Sequence, residues 1–397
     1  MRIRRCAATI FCLLLLAGLL GSGVAVTVQA ADVSCVSAAA SETLAAASGT
    51  SAAAAAGARQ PAAGILLDCA RRYYPVAEIR RYLDLLSGTS GSFLQLHLCD
   101  DENVGVECRL LGQTAERAVR NTDGSLTNPD TGKKFLSQDQ IRELLAYADE
   151  KNVDLIPEID MPGHMAGFFR LAVLQGGEAA LSGIRSTDAE NELELSGEKG
   201  LAFAEALNTE YAALFSGCRY YHMGCDEVSS GTGAGRIHYI NTMARFLSDR
   251  GFTVRIWNDL LTKRSLKKIS HRIQVTYWSF DGDTERAGTA KARRKVRAGA
   301  DDLQKAGFDL LNYNSWYLYF IPSEESCSPK SRAYMLRDLK RHWTIRTWDA
   351  DSGRKLRSGK HLTGAAVSVW GEDSAGISDE AIYAQTAALF RAMRKKL

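Results

Sequence analysis

From residue 64 onward, short apolar runs alternate with longer segments whose apolar residues recur every three or four positions. Eight runs have strand length: 64–70, 92–98, 153–159, Tyr220–Gly224, Thr253–Trp257, 273–278, 308–313 and 365–370. Between them, Val76–Leu86, 137–150, 201–215, 238–250 and 331–343 carry helical periodicity, and 379–395 adds a last segment. Ser137, four residues before Ile141 and after a loop rich in Asn, Asp, Gly and Pro, marks a helix start. Strands alternating with helices predict a parallel sheet. Eight such units predict a closed α/β structure, a (β/α)8 TIM barrel over residues 64–397.

Upstream the pattern changes twice. Arg2, Arg4 and Arg5 precede an apolar stretch over 6–28 that ends Val28-Gln29-Ala30. This is the layout of a signal peptide over residues 1–30. A stretch of roughly 20 apolar residues also suffices to span a bilayer, so an uncleaved anchor is the second reading. Both readings export the protein to the periplasm or beyond. Residues 31–63 are almost wholly Ala, Ser, Gly and Thr without apolar periodicity, which predicts a linker.

Composition narrows the picture. With 46% apolar and 24% charged residues, the chain fits neither the disordered nor the fibrous classes. A net charge of +3 gives no reason to expect nucleic acid. The basic run Lys291, Arg293, Arg294, Lys295 and Arg297 reads as a solvated helix face, with contact to an acidic polymer as the alternative. Beyond Cys6 and Cys12, cysteines stand at 35, 69, 99, 108, 218, 225 and 327, an odd number with no metal-ligand spacing. Cys69 and Cys99 end neighbouring strands; a disulfide and two small buried hydrophobes are both open readings.

In such barrels the chemistry lies at the C-terminal ends of the strands. Those ends carry Asp68 and Arg71; His97, Asp100, Asp101 and Glu102; Glu158, Asp160 and His164; and Asp226 and Glu227. The later ones carry Trp257, Asn258 and Asp259; Trp278; Asn312, Asn314 and Tyr319; and Trp370, Glu372 and Asp373. Carboxylates and amides beside aromatic faces suit a sugar, whose C–H faces pack on Trp while its hydroxyls need planar polar partners. No Gly-rich phosphate loop is present. His97, Asp100 and His164 lack metal-ligand spacing, so no metal and no other cofactor is expected. Asp-Glu occurs at 101, 149, 226 and 379, so the dipeptide alone carries nothing. The pair at 226–227 differs because it emerges directly from a strand. Two crowded carboxylates keep a proton available near neutral pH, as protonation of a glycosidic oxygen requires.

These residues resemble glycoside hydrolase family 20, the β-N-acetylhexosaminidases. The likeness runs through Leu67-Asp68, Leu96-His97, Pro157-Glu158-Ile159-Asp160, His222-Met223-Gly224-Cys225-Asp226-Glu227, Trp257-Asn258-Asp259, Thr276-Tyr277-Trp278 through Asp283, Asn312 through Tyr319, and Ser368-Val369-Trp370. It is similar to a biofilm-matrix branch without the α/β domain that usually precedes the barrel. The resemblance implies substrate-assisted, retaining catalysis. Glu227 would protonate the leaving oxygen while the substrate's 2-acetamido oxygen attacks the anomeric carbon. Asp226 would orient the acetamide N–H, and Tyr319 would hydrogen-bond its oxygen. By the same match, Trp257 and Trp278 would line the methyl pocket, and Trp370 would stack beneath the ring. Arg71 and Glu372 would hold ring hydroxyls; His164 and Asp100 would form a relay behind Glu227. The implied substrate is a polymer or oligomer of β-linked N-acetylglucosamine, with poly-β-1,6-N-acetylglucosamine favoured. The alternatives are a general exo-acting hexosaminidase and an inactive barrel that only binds the polymer. Two departures stand out: Cys225 where many relatives have Gly, and Ser230 where a relative of the biofilm-matrix branch has Tyr. The Ser/Gly/Thr-rich loop 229–235 is expected to be mobile.

Overall fold

The computed structural model describes residues 60–282, 286–349 and 355–397. The expected signal peptide, most of the linker, Cys6, Cys12, Cys35 and Asp283 lie outside the described residues. Eight parallel strands form a closed barrel: β1 Ala62–Asp68, β2 Phe93–His97, β3 Asp154–Met161, β4 Tyr220–Gly224, β5 Thr253–Trp257, β6 Gln274–Tyr277, β7 Asp309–Asn312 and β8 Leu362–Val369. Closure is made by β1 against β8, with Ile65 opposite Val367 and Leu67 opposite Val369. The fold is a (β/α)8 barrel. Its first strand starts at Ala62, two residues before the apolar run suggested, because backbone pairing with Gly364 and Ala365 extends it.

Strand residues are buried on both faces, which explains why the runs are continuously apolar rather than alternating. One face packs outward on the helices, where Ile65, Leu94, Leu96, Val254 and Val367 join the main core. The other points into the barrel, where Leu66, Phe93, Ile156, Leu311 and Ala366 form a second cluster crowned by Trp257, Trp278, Tyr313 and Trp370. Helix α1 (Val76–Leu86) buries Ile79, Tyr82, Leu83 and Leu86, one stripe of its surface. Helix α2 (Gln138–Glu150) begins at Ser137, whose hydroxyl accepts from the Gln140 N–H while the Gln140 amide oxygen accepts from the Ser137 N–H.

Further helices are α3 (Ala166–Gly176), α4 (Glu198–Leu214), α5 (Gly233–Ser248), α6 (Ala287–Val296), α7 (Ala300–Ala306), α8 (Pro329–His342) and α9 (Asp379–Arg394). No helix among the described residues is long and apolar enough to cross a membrane. The loop after β2 carries a small antiparallel sheet of Val119–Arg120, Leu126–Thr127 and Lys134–Phe135, which the periodicity did not suggest.

Of the two open readings for Cys69 and Cys99, the structure shows two buried free thiols, and Cys99 Sγ accepts the Asp160 N–H at 3.1 Å. Loop 229–235 is held at its first two residues. Glu192 accepts the backbone N–H groups of Ser229 and Ser230 at 2.8 and 2.7 Å, and Arg236 donates to both their carbonyls. The basic run lies on α6, which buries no residue, so Lys291 and Lys295 form the expected solvated face while the three arginines reach nearby acids. Arg293 donates to the Asp281 carbonyl at 2.6 Å, Arg294 donates to the Asp281 carboxylate and Arg297 pairs with Asp259 at 2.9 Å.

Candidate active site

The mouth of the barrel is assembled from strand ends. After β4, Cys225 and Glu227 both take left-handed backbone angles, φ 80° and 49°. Such conformations are strained for side-chain-bearing residues and persist where the surroundings impose them. This double bend turns the chain so that Asp226 and Glu227 both approach His164, itself at φ 54°. His164 Nε2 lies 3.6 Å from Glu227 and 3.9 Å from Asp226. Glycine is required just before the bend: Gly224 has φ 73°, and a Cβ there would fall 1.6 Å from Asp160 Oδ1.

The far side of His164 faces two acids. Its Nδ1 lies 3.4 Å from both Asp100 and Asp101. Burial opposes charge on this imidazole, but the two acids outweigh it and hold the pKa well above the ordinary value. The charged imidazolium is therefore favoured at His164, with acids facing both of its ring nitrogens. Asp101 is fixed in turn by the Asn191 amide at 2.9 Å and the Ala166 N–H at 3.2 Å. The sequence put Asp101 among the strand-end acids without a task; only the fold shows that it doubles Asp100.

Asp100 extends the network sideways. It faces His164 and accepts from Arg71 at 2.6 Å and from His97 at 2.9 Å. Arg71 also contacts Asp68 at 3.0 Å and Glu102 at 3.2 Å, and its guanidinium lies 5.8 Å from the Trp370 ring centre. Glu372 stands at the exposed rim. Loss of water around its carboxyl lifts the pKa to about 7, with Arg71 opposing and Asp68 and Asp373 adding.

The aromatic wall is continuous. Trp278 and Tyr319 lie nearly parallel, 6.1 Å apart and 8° between planes, and Tyr319 meets Trp370 edge-on at 5.5 Å. Trp257 sits deeper, 6.2 Å from Trp370, and is almost fully buried. Trp278 is oriented by a 2.5 Å hydrogen bond from its indole N–H to Asp259. Burial first, then the charge of Asp226, pushes the Tyr319 hydroxyl well above its usual pKa, so it stays a donor. Tyr319 reaches this place on a two-residue strand, Tyr319–Phe320, that pairs with β8. All ten residues singled out from the sequence thus meet at one mouth. The Cys225 thiol is buried, and burial keeps it neutral, so it is not a reactive neighbour of the acid pair.

Among the described residues, ligand-type side chains crowd together in three groups within 4.8 Å: His97 with Glu158 and Asp160, Asp100 with Asp101 and His164, and Asp160 with His164 and Asp226. Burial opposes charge on His97 and His164, but their carboxylate neighbours raise both pKa values above the ordinary one.

Comparison with known proteins agrees with this geometry. The model of the glycosyl hydrolase family 20 catalytic domain matches residues 63–390. A β-hexosaminidase of Vibrio furnissii is 28% identical over 304 residues, covering 70% of this chain and 48% of the relative. A lacto-N-biosidase of Bifidobacterium bifidum is 26% identical over 263 residues, 60% of this chain and 21% of that protein. The chain therefore spans less than half the length of these two curated relatives. The crystal structure of dispersin B superposes with a TM-score of 0.80 at 36% identity, covering 85% of this chain and 98% of that one. A β-N-acetylhexosaminidase of Streptomyces coelicolor A3(2) shares the fold, with a TM-score of 0.57 at 17% identity over 82% of this chain and 63% of that one. The chain belongs to glycosyl hydrolase family 20.

Proposed function

We propose that this protein is a β-N-acetylhexosaminidase that cleaves β-linked N-acetylglucosamine by substrate-assisted, retaining catalysis. The observation that carries the proposal is the acid pair itself: Asp226 and Glu227 lie on one imidazolium, at 3.9 and 3.6 Å, beside an aromatic wall. Glu227 is the proton donor to the glycosidic oxygen. Asp226 faces the acetamide N–H of the substrate, whose own oxygen attacks the anomeric carbon. Tyr319, kept protonated, donates to that oxygen as it becomes the nucleophile. Trp278 and Tyr319 flank the acetamide methyl, with Trp257 as the floor, and Trp370 lies under the ring. Arg71 and Glu372 take the ring hydroxyls. The positive charge on His164, fixed by Asp100 and Asp101, steadies the ionised form of Glu227 after it gives up its proton.

The favoured substrate is poly-β-1,6-N-acetylglucosamine. This preference rests on the likeness to dispersin B, which extends over 98% of that chain. We further infer export directed by residues 1–30, from the charged and apolar pattern of that segment; the N-terminal sequence of the protein recovered outside the cytoplasm tests it. The activity is tested with Glu227→Gln on a chromogenic N-acetylglucosaminide. Turnover is expected to fall by several orders of magnitude while sugar binding persists. Undiminished turnover removes Glu227 from the mechanism. Defined β-1,6 and β-1,4 oligomers then test the polymer, and faster cleavage of the β-1,4 series overturns that preference.

A further inference from the structure

A second concave surface lies at the other end of the barrel. It is a cleft of about 440 Å³ between the C-terminal half of α5 and residues 267–272. In this architecture helices run antiparallel to the strands, so helix C-termini and strand N-termini mark the end remote from the active site. Ser248 and Asp249 end α5, and Arg272 stands two residues before β6. The cleft therefore opens away from Glu227.

Its chemistry is cationic. Residues 263–272 read Lys-Arg-Ser-Leu-Lys-Lys-Ile-Ser-His-Arg, five cations and no acid within ten residues of a chain whose whole net charge is +3. Arg245 adds a further cation from α5, and Asp249 is the one acid lining the cleft. Arg245, Lys267, Lys268 and Arg272 are all exposed, and no ion pair with any of them is found among the described residues. The α6 run contrasts with this, since its arginines are committed to Asp281 and Asp259. The cationic cleft also has a firm frame. The Asn241 amide donates to the Lys268 carbonyl at 2.8 Å and accepts the Ser270 N–H at 3.0 Å, locking the loop to α5. His271 stacks on Phe308 at 4.5 Å, which holds the neighbouring turn.

We infer that this cleft is a binding surface for a linear acidic polysaccharide, one whose sugars carry carboxylates. Its lining offers cations with the hydroxyls of Ser248 and Ser270 but no aromatic side chain. Grooves for single-stranded nucleic acid combine charge with aromatic stacking platforms, which are missing here. Unpaired cations on a fixed frame raise the local concentration of a polyanion and lose that effect as salt screens them. Bound in this way, the protein is tethered to an acidic matrix with its barrel mouth directed outward. The inference does not depend on the reading of the active site.

The test uses the full chain on immobilised polygalacturonate at low salt, with single-stranded oligothymidylate as the competing ligand class. Wild-type protein is expected to be retained and released by salt. Lys267→Ala/Lys268→Ala/Arg272→Ala is expected to weaken binding about tenfold or more, with an unchanged Tm. Lys291→Ala/Lys295→Ala, which removes two exposed cations from α6, serves as the control and is expected to bind like wild type. Three results overturn the inference: no retention of wild type, equal losses in the triple variant and the control, or tighter binding to oligothymidylate than to the polyuronate.

Discussion

Glu158 and Asp160 stand two residues apart on β3, both fully buried and both directed into the barrel. Their surroundings could hardly differ more. Glu158 accepts from the Trp257 indole at 2.7 Å and the Gln95 amide at 2.8 Å, with His97 and His222 each at 3.4 Å. Burial disfavours its charge, yet these partners pull its pKa down to about 2. Asp160 has no hydrogen-bond partner on either carboxylate oxygen, and burial together with the charge of Asp226 drives its pKa well up. At equal depth one carboxyl is pushed toward its anion and the other toward its neutral form. Partners, not depth, set the charge, and the same rule governs the mouth above them.

The contrast breaks most visibly at Glu158. Glu158→Gln removes one of the two carboxylates that face the buried His97, leaving only Asp100, and places a second amide against Gln95. A buried pair broken from one side costs about 3–5 kcal/mol. Urea unfolding at pH 7 measures this, and a loss below about 1 kcal/mol would mean that the four partners do not depend on the negative charge. The indole of Trp257 takes its orientation from Glu158, so the variant should also raise KM for the chromogenic substrate.

A second arm of the rule concerns His164, whose charge is set by two acids at the same 3.4 Å distance. Asp100→Asn removes a partner shared with Arg71 and His97 and is expected to lower kcat about 100-fold. Asp101→Asn touches only the His164 side, so a smaller fall of about tenfold in kcat with KM nearly unchanged is expected. Steady-state kinetics separate the two. Equal losses in both would show that Asp100 acts through His164 alone and not through Arg71.

Much of this architecture is visible in the chain before any coordinates. Barrel strands are buried on both faces, so their apolar runs are unbroken and easily located. The strand ends then collect the acids and indoles in one place. The elements that escaped are those with weak or mixed signals. Helix α3 (Ala-Gly-Phe-Phe-Arg-Leu-Ala-Val-Leu-Gln-Gly) is apolar nearly all round, which erases the period of a helix with one wet face. Helix α7 has only seven residues, and the strands after β2 have two each. Partner choice was equally hidden. Asp100 and Asp101 are adjacent letters, and nothing local says that both face one imidazole. Arg294 and Arg297 sit in a basic run whose acids, Asp281 and Asp259, lie 13 and 38 positions earlier.

Glu372 marks the limit of the rule at the rim, where loss of water lifts its carboxyl to about 7 despite Arg71 nearby. A raised carboxyl pKa means that the charged form is lost as pH falls through 7. If the anion holds a ring hydroxyl beside Arg71, KM should rise about fivefold between pH 8 and pH 6, the difference between a charged and a neutral acceptor. Glu372→Gln should show the higher KM at both pH values and a flat profile. A wild-type KM independent of pH over that range would take Glu372 out of substrate binding.

The smallest effect is expected where the contrast began. If Asp160 is neutral in the fold, Asp160→Asn exchanges one uncharged buried group for another of the same shape, and the cost should stay at about 1 kcal/mol or less. The same substitution at an ionised buried carboxylate would remove a charge that its partners require, as at Glu158. Gly224 leaves room for the swap only if the amide keeps the carboxyl's position, since the backbone there closes directly over Asp160 Oδ1. Two measurements on the variant decide the case. Urea unfolding should give nearly the wild-type free energy, and the pH profile of kcat should keep its shape, because Asp226 then has the same uncharged neighbour as before. A large destabilisation, or an acid limb displaced to lower pH, would mean that Asp160 carries a negative charge beside Asp226, and that burial without partners is not enough to keep a carboxyl protonated in this barrel.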